Sequence, residues 1–193
     1  EGDEVILTNH FQSKSFRNRP LTLENIAEGS SVYRMNRTKE LLSRTDKHDK
    51  ESFAAILRDQ RGLNDKDIGM GNELAVNQLV AHHSVIFKPA QLQMWVSSFP
   101  YSLGNYLCYD LNEVFSLNSM GRERTYIDSL SVDRDPFIES EEFRAFRRYK
   151  SETKRFKELL NRRKVNQIKE QEIEAYLKLN PGYYYSYYIA GEY

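Results

Sequence analysis

Apolar positions along this chain change rhythm from one segment to the next, and the rhythm assigns most of its elements. Val5, Ile6, Leu7 and Thr8 make a short, partly β-branched run, expected as a buried strand. The polar stretch that follows, to Gly29, is rich in arginine, asparagine and serine and reads as a surface loop. Ser30 and Ser31 open a helix with serine as N-cap, and Tyr33, Leu41 and Leu42 supply its apolar contacts. A second short helix is expected over residues 53–57, and residues 61–72, punctuated by glycine and asparagine, read as loop.

The strongest β signal spans residues 77–98. Leu79, Val80, Val85, Ile86 and Phe87 lead into a turn at Lys88, Pro89 and Ala90. Beyond it Leu92, Met94 and Val96 alternate with Gln93, Trp95 and Ser97, so the two runs form a hairpin. Residues 106–111 give a further strand. From Pro136 onward the pattern is helical and charged, over 139–149, 151–160 and 170–179. Phe143, Phe146 and Tyr149 form a narrow stripe three residues apart, and Asn180, Pro181 and Gly182 stop the last helix. The fold class is therefore α+β. A β-rich part at 1–118 is joined by a linker at 119–135 to a helical extension at 136–193.

Composition narrows what such a chain can do. Lysine plus arginine equals aspartate plus glutamate at 28 each, so no net field favours nucleic acid or an anionic membrane. The single cysteine, Cys108, excludes an internal disulfide and a cysteine-rich metal site, and leaves the compartment open. No apolar run approaches the ~20 residues that span a bilayer. His82 and His83 would point to opposite faces of a strand, and Asp133 and Asp135 lack the glycine and terminal glutamate of a calcium loop. No metal and no cofactor is assigned. His10 reads as structural.

Two segments carry chemistry in combination. One is Leu7-Thr8-Asn9, in which an expected strand ends on an amide donor. The other is Ser30-Ser31-Val32-Tyr33-Arg34, in which an expected helix starts with a guanidinium in its first turn. A donor on a rigid strand end suits an oxyanion hole, which must be aimed before charge develops. Arginine offers a fixed charge and five donors. By itself Asn9 also suits a turn, and Arg34 a helix surface.

This combination resembles the choloylglycine hydrolase and acyl-CoA:6-aminopenicillanate acyltransferase group of N-terminal-nucleophile (Ntn) enzymes. The Asn9-His10-Phe11 form is closer to the acyltransferase branch, as are the segment from His83 to Pro89, the hairpin through Trp95 and residues 106–111. The similarity covers about residues 5–118. It implies the later half of an αββα sandwich and chemistry on linear amides, whether hydrolysis or acyl transfer. The implied nucleophile is a cysteine exposed at a new N-terminus by self-cleavage, with its own α-amine as base. Asn9 would match the oxyanion-hole asparagine. Arg34 would match the active-site arginine, with Arg37 as the alternative in a shifted register.

The departure is that residue 1 is glutamate and Cys108 lies inside an expected strand. The nucleophile is therefore expected on an upstream segment of the same precursor, and residues 1–193 alone are expected to be inactive on a small amide or acyl substrate. The tail, Leu179-Asn180-Pro181 followed by Tyr187-Tyr188-Ile189-Ala190-Gly191, resembles the start of a tetratricopeptide repeat that continues past Tyr193. It also suits a tyrosine-rich helix docked on the sheet. A non-catalytic binding module that recruits a protein partner through this tail is the competing class.

Overall fold

The computed structural model describes residues 5–116 and 125–193. Its fold is α+β, with helices before and after one antiparallel sheet in the chain. The sheet has the order β1-β2-β3-β4, from Val85–Lys88, Gln93–Ser97, Tyr106–Asp110 and Tyr126–Val132. The expected hairpin is β1 and β2, with Ile86 opposite Trp95 and a 3-10 turn over Pro89–Gln91. Leu92 completes that turn in the left-handed region (φ 52°), so it leaves the alternation expected of it and is half exposed. The strand itself alternates as expected, with Trp95 and Ser97 on the buried side.

Trp95 lies between Ile86 and Cys108 across three strands. With Tyr106, Val132 and Ala54 these residues make one core. Ala54 belongs to helix α3, Lys50–Leu57, which covers this face of the sheet. The Trp95 indole N–H donates to the Leu130 carbonyl at 2.7 Å, so the buried ring leaves no polar atom unpaired. Asp49 caps α3 by accepting from the Ser52 N–H at 2.8 Å, while the Asp49 N–H donates to the Ser52 hydroxyl.

Several expectations are corrected. Residues 5–8 form no strand: no strand pairs with them among the described residues, and Val5 and Leu7 are 81% and 75% exposed. An apolar run without a partner ladder has nothing to satisfy its backbone as a strand. Residues 77–84 are likewise not a strand, for Leu79 is left-handed (φ 50°) and fully buried. The polar stretch before Gly29 holds helix α1, Pro20–Glu28, started by proline at its first position. With α2, Ser31–Leu42, and α3, the expected β-rich part therefore opens with three helices. The expected linker at 119–135 contains β4, whose Asp128, Ser129 and Ser131 masked its strand pattern; residues 119–124 lie outside the described residues. A β-bulge between Tyr106 and Cys108 lets β4 pair with β3 out of simple register.

A four-residue turn of helix, α4 (Leu111–Val114), follows β3. The two charged helices expected after Pro136 are one, α5, Glu141–Asn161. Ser140 caps it by accepting from the Phe143 N–H at 3.0 Å, and Glu141 and Glu142 favour its positive end. Helices α6, Glu170–Leu177, and α7, Tyr184–Gly191, return against it. The stripe Phe143, Phe146, Tyr149 and Phe156 faces Tyr176, Ile189, Leu79 and Leu103 in a second core. Tyr176 stacks on Tyr149 at 5.3 Å and meets Phe156 at 4.8 Å, contacts worth about 0.5–1.5 kcal/mol each beyond the area they bury.

The tail's own stop signal fastens it to Met70. Asn180 is 1% exposed; its amide oxygen accepts from the Met70 N–H (2.9 Å) and its amide nitrogen donates to the Met70 carbonyl (2.8 Å). A Cβ on Gly69, whose φ is 77°, would sit 2.3 Å from the Tyr183 nitrogen, so only glycine lets the two backbones approach. Asn180→Ala orphans both Met70 groups, and we expect a loss of about 2–4 kcal/mol in urea unfolding. Unchanged stability would mean that the tail is not held here.

Candidate functional site

Helix α2 begins at Ser31 with Ser30 as N-cap, which sets Arg34 in the first turn. The Ser30 hydroxyl does not cap the backbone; it accepts from Arg34 Nη1 instead. Nη1 also donates to the Glu73 carbonyl at 2.8 Å. Nη2 donates to Asn9 Oδ1 at 2.5 Å. The two residues singled out in the sequence, 25 positions apart, are thus in direct contact. Arginine has no acceptor, so this contact fixes the Asn9 amide: its oxygen faces Arg34 and its NH2 group remains to donate elsewhere. Asn9 is exposed and Arg34 is half-buried. Partial burial lowers the Arg34 pKa from its ordinary value and the nearby Glu73 carboxylate opposes that shift; the guanidinium stays charged.

His10, next to Asn9, is held rather than free. Its Nδ1 lies 2.8 Å from the Ser31 hydroxyl and 3.1 Å from that of Thr8. The segment carrying Asn9 is therefore tied to the start of α2 at two successive residues, although it forms no strand.

A third component has no signal in the local sequence pattern. The Glu73 carboxylate accepts from the hydroxyl of Tyr184 at 2.8 Å and from that of Tyr183 at 3.4 Å. This raises the Tyr184 pKa; that of Tyr183 is raised first by burial and then by the same carboxylate. Glu73 thus links the first turn of α7 to Arg34, over a sequence separation of 111 residues between Glu73 and Tyr184.

Arg37, the alternative to Arg34, lies elsewhere and is held by carboxylates. It is fully buried, with both Nε and Nη2 on Asp59 (2.9 and 2.7 Å), Nη1 on Glu40 (2.8 Å) and Nη2 also on Asp65 (2.8 Å). Hydrogen bonding to Asp59 pushes its pKa further up. Three carboxylates take four of its five N–H donors and the side chain is buried, so it reads as a structural ion network.

The other candidate groups are placed apart from Asn9. Cys108 is fully buried in β3, and burial pushes its thiol pKa up, the opposite of an activated nucleophile. His82 and His83 are exposed. Asp135 caps the 3-10 turn Pro136–Glu139 by accepting from the Phe137 N–H, and the Asp133 carbonyl accepts from Arg58. Among the described residues no three His, Cys, Asp or Glu side chains converge on a metal position.

Beside the Asn9 segment lies an apolar hollow of about 480 Å³, between Val5 and Leu7 on one side and Val85 and Phe87 of β1 on the other, with Leu42 and Phe53 also lining it. The outer edge of β1 has no partner strand among the described residues. Comparison of the chain with protein-family models, with curated proteins and with solved structures finds no match. The functional reading rests on this geometry and on the sequence.

The Arg37 network sets a pH dependence. The Asn64 N–H, with Arg44 and Arg37, holds the Glu40 carboxyl below the usual range, and Arg44 and Arg37 do the same for Asp65. Depressed folded pKa values give stability that is complete above about pH 4–5 and lost as the pH falls through them. We expect thermal midpoints to drop on acidification below about pH 4. We also expect Arg37→Met to cost about 3–5 kcal/mol near neutrality, because Asp59 is left in the interior unpaired, and to flatten the acid limb. An acid limb as steep as that of the parent would remove the network from the account.

Proposed function

We propose that this chain is the later part of an Ntn-type amide hydrolase or acyltransferase, in which Asn9 supplies an oxyanion-hole donor and Arg34 fixes it. The carrying observation is the Arg34–Asn9 contact, which leaves the Asn9 NH2 group exposed and unable to turn over. A preorganised amide donor stabilises the oxyanion of a tetrahedral intermediate without reorganising during the reaction. Arg34 acts as a positioning residue in this scheme, and Glu73, through its carbonyl, positions Arg34.

The nucleophile in this reading is a cysteine thiol on a segment outside residues 1–193. Its own α-amine takes the thiol proton as the sulfur attacks the amide carbonyl, then passes that proton to the leaving amine as the C–N bond breaks, leaving an acyl-cysteine for water or a second amine. The second sheet of the αββα sandwich belongs to the same outside segment. The open edge of β1 and the apolar hollow beside Val5 and Leu7 offer that segment strand pairing and an apolar seat.

The competing binding-module reading draws on α7, where Tyr184, Tyr187 and Tyr188 are more than half exposed. In that case the Asn9 amide serves no reaction.

One comparison separates the two. A polypeptide extended upstream through the cysteine should cleave acyl p-nitroanilides, whereas residues 1–193 alone should not. In the extended protein Asn9→Ala should lower kcat by about 10²–10³ with an unchanged thermal midpoint. Turnover by residues 1–193 alone, or full kcat in the Asn9 variant, would overturn the proposal.

A further inference from the structure

A groove of about 490 Å³ runs along α5, and neither Asn9, Arg34 nor Glu73 lines it. Phe146, Tyr149, Leu79 and Val80 give it an apolar, largely aromatic lining. Lys150, Lys154 and Lys157 line it too, spaced so that they share one face of the helix. All three are exposed, and none forms an ion pair among the described residues. The Lys150 ammonium donates to the Tyr101 hydroxyl at 3.1 Å, and the Lys157 ammonium lies 4.8 Å from the centre of the Tyr185 ring. Against these three cations the lining carries one carboxylate, Glu158.

We propose that this groove binds an amphipathic small-molecule anion, with an aliphatic or aromatic body against Phe146, Leu79 and Val80 and an oxyanion held by the lysines. The volume is that of small-ligand sites, about 300–1,000 Å³, and so is the balance of apolar wall and few polar groups. Lysines act as mobile point charges, which suits a single carboxylate or sulfonate. The site is independent of the Asn9–Arg34 reading and would stand if that reading failed.

The test is equilibrium binding of 8-anilinonaphthalene-1-sulfonate to the full chain, with displacement by decanoate and by decanol. Decanoate should displace the probe and decanol, of equal length but uncharged, should not. Replacing all three lysines (Lys150→Gln, Lys154→Gln and Lys157→Gln) changes exposed residues only, and should weaken decanoate about tenfold or more. Equal displacement by decanol, unchanged decanoate affinity in the lysine variant, or displacement by a glutamate-rich peptide and not by decanoate would overturn the proposal.

Discussion

The structure depends on an irregular segment, residues 68–79, that crosses the interior without helix or strand. Buried backbone must find hydrogen-bond partners, and a segment outside regular structure cannot find them in a ladder. Here three buried asparagines replace the ladder. Asn72 donates to the Ile68 carbonyl at 2.6 Å and accepts from the Leu74 N–H. Asn77 accepts from the Leu79 N–H and donates to the Tyr101 carbonyl at 2.9 Å. Asn180, reaching in from the tail, takes both backbone groups of Met70. Each is 4% exposed or less, so these amides work where water cannot substitute.

What this segment joins explains why it is so constrained. Leu79 enters the aromatic core under α5, whereas the Asn77 N–H donates to the Asp59 carbonyl just beyond α3. Asp59 is in turn the main partner of Arg37 in α2. Glu73 holds Arg34 through its carbonyl and two tyrosines at the start of α7 through its carboxylate. The end of α3, the aromatic core and the first turn of α2 therefore meet in one stretch. Loosening it would be felt at all three, whereas a change on an outer face of α5 would stay local.

What could be read from the sequence follows from how far each signal travels along the chain. The Val85–Lys88 and Gln93–Ser97 hairpin, helix α2 and the Phe143-Phe146-Tyr149 stripe are set by neighbours within a few residues, and periodicity found them. The strand expected at residues 5–8 failed because apolar and β-branched character does not supply a partner, and β4 was missed because Asp128, Ser129 and Ser131 dilute its pattern. At the candidate site Asn9 and Arg34 were legible because short motifs carry them. Their contact, the Glu73 bridge and the tyrosines at the start of α7 were not, because they join residues 25 to 111 positions apart.

The Arg34–Asn9 pair also shows what a single amide donor needs before it can matter to a reaction. An asparagine on an exposed segment loses its aim by rotating about its own side chain, and donors that reorient during the reaction stabilise charge poorly. Arg34 removes one of the two amide orientations, because a guanidinium cannot accept from NH2. Ser31 and Thr8 hold the adjacent His10 and so restrain the backbone that carries the donor. Arg34 is itself fixed by Ser30 at the start of its own helix and by Glu73 from the central segment. The donor is thus aimed by contacts that owe nothing to residues 5–8 being a strand. That is the property the proposed oxyanion role requires, and it is retained although the strand expected to provide it is absent.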